Sequence, residues 1–132
     1  MNPIIIQYFD SFEECLLQSP VVTSYKIIRQ EITPSDGKFR IKIIFFDKSN
    51  AELFGFVTIA AEGLKLLTYS FHWQDSDGKL LCRWENVPHH PEILNAPHHK
   101  HNSDGTITGV SKLLDIFGVL EEINKILNKV DN

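Results

Sequence analysis

The chain has 132 residues, of which 42% are hydrophobic and 23% are charged, a composition typical of one globular domain rather than of a disordered chain. Its formal net charge of -4 provides no general attraction for nucleic acid, and its apolar runs are too short for a transmembrane helix. The first residues also lack the basic and long apolar segments of a secretory signal peptide. We therefore expect a single domain over residues 1–132, located in the cytoplasm and not associated with a membrane.

The N-terminal segment predicts a helix over residues 7–18. Apolar residues recur there at helical spacing: Tyr8, Phe9, Phe12, Leu16 and Leu17. Ser19-Pro20 ends the pattern, because the residue before a proline disfavours the helical conformation. Cys15 and Cys82 both have apolar neighbours, and a single disulfide between them is one possibility. Because no secretory signal precedes them, we expect two buried, reduced thiols instead, and the lack of CxxC spacing argues against a thiolate zinc site.

Five segments rich in β-branched and aromatic residues follow the first helix and predict strands. They cover residues 21–32, 38–46, 53–60, 66–74 and 79–85. The connections are short and carry turn residues, notably at 33–37 and 75–78. Short connections of this kind favour an antiparallel meander.

The C-terminal segment predicts a second helix, with Ser111 as its N-cap and Gly118 near its middle. Its apolar stripe consists of Leu113, Ile116, Phe117, Leu120, Ile123 and Leu127. The element order predicts an α+β fold: an antiparallel meander sheet of about five strands, flanked by an N-terminal and a C-terminal helix. A long His-rich loop would follow the last strand. One sheet face is expected to pack against both helices, which would leave the other face open to water.

The last two predicted strands form a hairpin whose two faces differ in character. One face is apolar and is expected to join the core; it carries Tyr69, Phe71, Trp73, Leu80, Cys82 and Trp84. The other face is polar and carries Ser70, His72, Gln74, Arg83 and Glu85. A two-residue turn at 77–78 would pair His72 with Arg83, Ser70 with Glu85 and Gln74 with Leu81. Such a polar face is by itself typical of an ordinary solvated surface.

The segment after the hairpin contains a small internal repeat rich in histidine. The pattern Asn-x-Pro-His-His occurs at residues 86–90 and again at 95–99, and all six histidines lie between His72 and His101. Prolines stiffen the segment, and a stiff stretch of about 20 residues is typical of a functional loop. Protonation of all six histidines would move the net charge from -4 to +2.

Histidines and an arginine in this arrangement favour acid–base chemistry on a phosphate. His72 would act with one of His89, His98 or His99 as proton acceptor and donor. Arg83 would anchor the phosphate, Glu85 would orient a histidine, and Lys100 and Gln74 would add contacts to the substrate. This set suits RNA cleavage without a cofactor, in which a base activates the 2′-hydroxyl and an acid protonates the leaving oxygen.

Two other interpretations fit the same region. His98, His99 and His101 could hold a divalent metal such as zinc, in a hydrolase or a metal sensor, although no HExxH or CxxC motif accompanies them. The polar face and the loop could instead form a non-catalytic surface that binds another protein. At this stage the enzymatic nature of the protein is open.

The region from residue 69 to residue 101 resembles the TumE-like family of prokaryotic toxin–antitoxin proteins. The motifs that carry this resemblance are Tyr-Ser-Phe-His-Trp-Gln at 69–74, Arg-Trp-Glu-Asn-Val-Pro-His-His-Pro-Glu at 83–92 and Pro-His-His-Lys-His at 97–101. The resemblance implies a small cytoplasmic toxin with a cognate antitoxin as partner. RNA is the expected substrate, and a homodimer is left open. The family more often has tyrosine or phenylalanine and then aspartate at the positions of Trp84 and Glu85.

Overall fold

The computed structural model describes residues 2–86, 98–110 and 115–130, and it confirms the α+β class. In chain order the elements are α1 (Pro3–Gln18), β1 (Val22–Ile32), β2 (Asp36–Phe45), β3 (Asn50–Ala60), β4 (Gly63–Gln74), β5 (Leu80–Glu85), β6 (His99–Asn102), β7 (Ile107–Gly109) and α2 (Ile116–Val130). Within the described residues, the seven strands form one antiparallel sheet in their sequence order. No helix in this part of the chain is long and apolar enough to cross a membrane.

Helix α1 begins four residues earlier than the apolar pattern predicts. The Asn2 side chain accepts hydrogen bonds from the backbone N–H groups of Ile4 and Ile5, and Pro3 occupies the first helical position. The helix ends at Gln18, immediately before Ser19-Pro20, as predicted. Its buried residues are Ile5, Phe9, Phe12 and Leu16.

Both cysteines are free thiols, but only one of them is buried. Cys82 lies in the core, with 4% of its surface exposed. Cys15 is exposed, so the expectation of two buried thiols was wrong. The reason is geometric: Cys15 precedes the buried Leu16 by one position, and a helix turns about 100° per residue.

Helix α2 begins at Ile116, next to a capping carboxylate. Asp115 accepts a hydrogen bond from the N–H of Gly118 through its side chain and another from Val119 through its carbonyl. The predicted cap Ser111 and the stripe residue Leu113 lie outside the described residues. The buried stripe of the helix consists of Ile116, Val119, Leu120, Ile123 and Leu127.

The core lies between one face of the sheet and the two helices. Alternate residues of β2, β3, β4 and β5 point into it, which accounts for the alternating burial of these strands. The largest fully buried side chains include Trp84, Tyr69, Phe12, Phe39, Phe45 and Phe71. On β4 and β5, Tyr69, Phe71, Trp73, Cys82 and Trp84 are all buried, as predicted for the apolar face. Leu80 was predicted on the same face, but it pairs with Gln74 and is only half-buried, while Leu81 packs against the core.

The prediction of about five strands was too low because it treated the histidine-rich segment after β5 as loop. Residues 99–102 and 107–109 form a hairpin, and β6 pairs with β5 through Glu85–His99 and Arg83–His101. The hairpin turn is closed by Asp104, whose carboxylate accepts hydrogen bonds from Thr106. Histidine, lysine and asparagine have little intrinsic strand preference, so pairing with β5 decides the conformation here.

The register of the β4–β5 hairpin agrees with the prediction except next to the turn. Ser70 pairs with Glu85 and His72 pairs with Arg83, as expected. Gln74 pairs with Leu80 rather than Leu81, because the ladder is irregular between residues 73 and 74. The connection comprises residues 75–79 and is closed by the carboxylate of Asp75, which accepts from the N–H groups of residues 77 and 79.

We expect Gly55→Ala to reduce stability by overpacking the core. A Cβ atom at position 55 would lie 2.3 Å from the Phe39 ring, which in turn packs edge-on against Phe9 with ring centroids 4.8 Å apart. The free energy of unfolding should fall by about 1–3 kcal/mol, as measured by urea denaturation. Adding Phe39→Leu to this variant should recover part of the loss; an unchanged unfolding midpoint in Gly55→Ala would contradict the interpretation.

Candidate active site on the open face of the sheet

The face of the sheet opposite the helices, here called the open face, brings distant parts of the chain into two rows. Residues paired in an antiparallel ladder point to the same side of the sheet. The first row is Lys26, Lys42, Glu52, His72, Arg83 and His101. The second row is Arg29, Arg40, Phe54, Ser70, Glu85 and His99.

A continuous chain of polar contacts connects β4, β5 and β6 on the open face. Arg83 Nη1 lies 3.3 Å from His72 Nδ1, and Arg83 Nε donates to Glu85 Oε2 at 2.7 Å. Glu85 Oε1 lies 3.1 Å from His99 Nε2 and 3.3 Å from His101 Nε2. The two oxygens of one carboxylate are thus divided between the arginine and the histidine pair.

The contact between Arg83 and His72 determines the tautomer of the imidazole. A guanidinium group has only donors, so His72 Nδ1 must accept and therefore carries no proton. In this arrangement His72 is a neutral ring with its hydrogen on Nε2.

Glu85 is a buried charge that is held by hydrogen bonds. Its side chain is 6% exposed, against 39% for Arg83. Burial opposes ionisation, but the hydrogen bond and charge of Arg83 and the hydrogen bonds of His99 and His101 outweigh it, so the pKa of Glu85 is lowered. The carboxylate is therefore ionised at neutral pH.

A shallow depression of about 530 Å³ lies on the open face next to this chain of contacts. Its lining includes His72, Arg83 and Gln74, which the sequence analysis placed together on a polar face. It also includes Arg40, Glu52 and Phe54, which the sequence analysis did not single out. These three residues could be found only from the register between β2, β3 and β4, because alternation within one strand does not show which residues of neighbouring strands lie side by side.

Two of the predicted site residues lie on the opposite, helix-facing side of the sheet. His98 stacks on Tyr69 with ring centroids 5.8 Å apart, and its Nδ1 is 3.2 Å from the Tyr69 hydroxyl. Burial lowers the pKa of His98, with a further contribution from the nearby His99, and burial raises the pKa of Tyr69 to about 12. Lys100 forms an ion pair with Glu122 of α2 at 2.9 Å and lies over the Trp84 ring.

The predicted set is therefore divided by the structure. His72, Arg83, Glu85, His99 and Gln74 share the open face. His98 and Lys100 connect β6 to the core and to α2. His89 lies outside the described residues. His101, which the sequence analysis considered only as a metal ligand, lies beside Arg83 and in contact with Glu85.

The comparisons with known proteins agree with the motifs read from the sequence. The fold and the match to a family model described as Toxin TumE, over residues 12–131, define a toxin of a toxin–antitoxin system. Since that match spans nearly the whole chain, the protein belongs to the TumE toxin family, and membership implies an antitoxin as partner. No curated protein and no solved structure gives a significant match.

We expect Glu85→Gln to destabilise the fold in a pH-dependent way. At pH 7 the free energy of unfolding should fall by about 1–3 kcal/mol, because charged hydrogen bonds to buried groups are lost. A lowered folded-state pKa stabilises the fold above the unfolded-state value of about 4.3, and this contribution disappears as the pH falls through the folded-state pKa. The difference between wild type and variant should shrink accordingly in urea titrations at decreasing pH.

Glu52→Gln is the matched control for this experiment. Glu52 forms an ion pair with Arg40 at 3.4 Å, but its side chain is 48% exposed. An exposed pair contributes about 0–1 kcal/mol, so this variant should be nearly as stable as wild type. Equal losses in the two variants, or a loss in Glu85→Gln that does not change with pH, would contradict the assigned role of Glu85.

Proposed function

We propose that this toxin is a metal-independent ribonuclease in which His72 and His101 form the acid–base pair and Arg83 anchors the phosphate. The observation that carries the proposal is their placement in one row, on the adjacent strands β4, β5 and β6. Neighbouring strands lie about 4.8 Å apart, so the two histidines flank the arginine across about 10 Å of sheet. Attack by a 2′-hydroxyl and departure of the opposite oxygen require a base and an acid on the two sides of one phosphate.

His72 is suited to accept the proton. Its Nδ1 is unprotonated while it contacts Arg83. A phosphate bound by Arg83 would compete for the guanidinium and release this nitrogen for the 2′-hydroxyl. Substrate binding would thus expose the base only when the phosphate is in place.

His101 is better suited than His99 to meet the substrate. Its side chain is 28% exposed, whereas that of His99 is 1% exposed. Both contact Glu85 Oε1, so we assign His99 and Glu85 as positioning residues for His101. His98 and Lys100 lie on the other face, where their contacts support β6 rather than a substrate.

The charge distribution of the open face supports an anionic substrate. Among the described residues, the paired rows of this face place seven basic side chains against four acidic ones, a net charge of +3 on a chain of net charge -4. The basic set is Lys26, Arg29, Lys38, Arg40, Lys42, Lys65 and Arg83, and the acidic set is Glu31, Asp36, Glu52 and Glu85. Such a surface attracts the phosphates of RNA even though the whole chain is acidic.

Two phenylalanines on the open face support a single-stranded substrate. Phe54 and Phe56 point to the same side of β3, and Phe54 lines the depression that contains His72. Arg40 lies 5.2 Å from the ring centroid of Phe54, and Lys38 lies 5.5 Å from that of Phe56. Unpaired bases stack on aromatic side chains displayed by a sheet, while neighbouring cations hold the backbone.

Replacing either histidine of the pair should remove the cleavage of RNA. We expect His72→Ala and His101→Ala to lower the rate at least about 100-fold, since general acid–base catalysis contributes about 10²–10⁴. Purified protein is incubated with total RNA, with and without EDTA, and the products are separated on a gel. Thr108→Ala, an exposed change on the same hairpin, should cleave at the wild-type rate.

The other interpretations give different results in the same assay. Cleavage that EDTA abolishes would overturn the metal-independent mechanism, and full activity of His72→Ala would remove the assigned base. Wild-type protein that leaves RNA intact and does not slow growth when expressed without antitoxin would favour a non-catalytic interaction module.

Loss of the aromatic ring at position 54 should weaken substrate binding more than it slows the chemical step. We expect Phe54→Ala to raise KM about 5- to 100-fold for a single-stranded oligonucleotide, because stacking contributes about 1–3 kcal/mol per base. The kcat should change little, and Phe54→Trp should retain the wild-type KM. Phe46→Ala removes an exposed ring outside the depression and serves as the control. An unchanged KM in Phe54→Ala would contradict the stacking role.

A further inference from the structure

Three potential ligand atoms from β5 and β6 converge on one point of the open face. They are Glu85 Oε1, His99 Nε2 and His101 Nε2, and the distances between them are 3.1, 3.3 and 3.1 Å. The two histidines alternate along β6, and Glu85 is the ladder partner of His99. The backbone pairing of the two strands therefore brings these atoms together.

We propose that Glu85, His99 and His101 bind one divalent ion of the zinc type. Zinc is held tetrahedrally at about 2.0–2.1 Å from nitrogen and oxygen ligands, which separates any two ligands by about 3.3–3.4 Å. The three observed separations lie within about 0.3 Å of this value. Two imidazoles and one carboxylate are also a common ligand set of zinc sites that keep a fourth position for water.

Hydrogen atoms on the two imidazoles would leave an unfavourable contact among these three atoms, whereas a cation between them would not. If both Nε2 atoms carried hydrogen, the two donors would face each other at 3.1 Å. If one of them lacked hydrogen, its lone pair would face the carboxylate oxygen of Glu85. A cation at the centre would accept all three lone pairs at once.

The surroundings of the triangle resemble a built site rather than a surface cluster. Glu85 and His99 are 6% and 1% exposed as side chains, so two of the three ligands are fixed inside the protein. Glu85 uses Oε1 for the triangle and Oε2 for Arg83, whose hydrogen bond would orient the carboxylate behind the metal. Hard ions such as Mg²⁺ prefer oxygen ligands and should not bind here.

Metal binding would have a direct consequence for the proposed ribonuclease, and this part of the inference rests on that proposal. A metal bound to His101 Nε2 takes the place of the proton that this atom carries in the imidazolium ion, so His101 could no longer act as an imidazolium acid. The zinc-bound protein should therefore cleave RNA more slowly than the metal-free protein. Zinc would act as an inhibitor at the site rather than as a cofactor of the reaction.

Isothermal titration calorimetry with ZnCl₂ tests the site independently of any activity. The full chain, freed of metal with EDTA and then dialysed, should bind one zinc ion per chain, and MgCl₂ should give no heat. His99→Ala and His101→Ala should each weaken zinc binding at least tenfold. His72→Ala removes a histidine from the same face but not from the triangle, so its affinity should match that of wild type. Circular dichroism of each variant establishes that it is folded.

The outcomes separate this inference from the proposed function. Absence of zinc binding to folded wild-type protein, or equal affinity in His99→Ala and wild type, would overturn the site whatever the protein does to RNA. One-to-one binding that depends on the triangle supports the site. If zinc binds in this way and also activates cleavage, the site stands, and both the inhibition and the metal-independent mechanism are overturned.

Discussion

A single buried carboxylate organises the water-facing side of this protein. Glu85 is almost inaccessible to solvent, and an ionised group in that position is costly unless hydrogen bonds compensate it. One of its oxygens accepts a hydrogen bond from Arg83, and the other contacts His99 and His101. Arg83 lies on the same strand as Glu85, whereas the two histidines belong to β6. This one carboxylate therefore fixes the position of the Arg83 guanidinium and also helps to attach the last hairpin to the sheet.

Alternation along residues 98–101 places successive side chains on the helix-facing side and on the open face of the sheet. His98 and Lys100 point toward the helices, where they contact Tyr69, Trp84 and Glu122. His99 and His101 point to the open face and to Glu85. A run of histidines that looks uniform as a sequence therefore contains residues with different surroundings, and the adjacent pair at 98–99 belongs half to the core and half to the candidate site.

Much of this arrangement could be predicted from period-two alternation, and the failures have identifiable physical causes. Alternation within β4 and β5 correctly predicted the pairing of His72 with Arg83 and the burial of Trp84. It could not predict β6, because its residues have little strand preference and become extended only through pairing with β5. Without that strand, Lys100 looked like a substrate contact. Phe54 was missed because only the register between β2, β3 and β4 brings it beside His72.

The pairing of β5 with β6 also links the stability of the last hairpin to the integrity of the candidate site. A slip of one residue in this ladder would turn every side chain of β6 to the opposite face. Lys100 would then leave Glu122 while His99 and His101 left Glu85, so the support from helix α2 and the candidate site would be lost in the same event. A chain with this slipped register would therefore be less stable and would lack the candidate site at the same time.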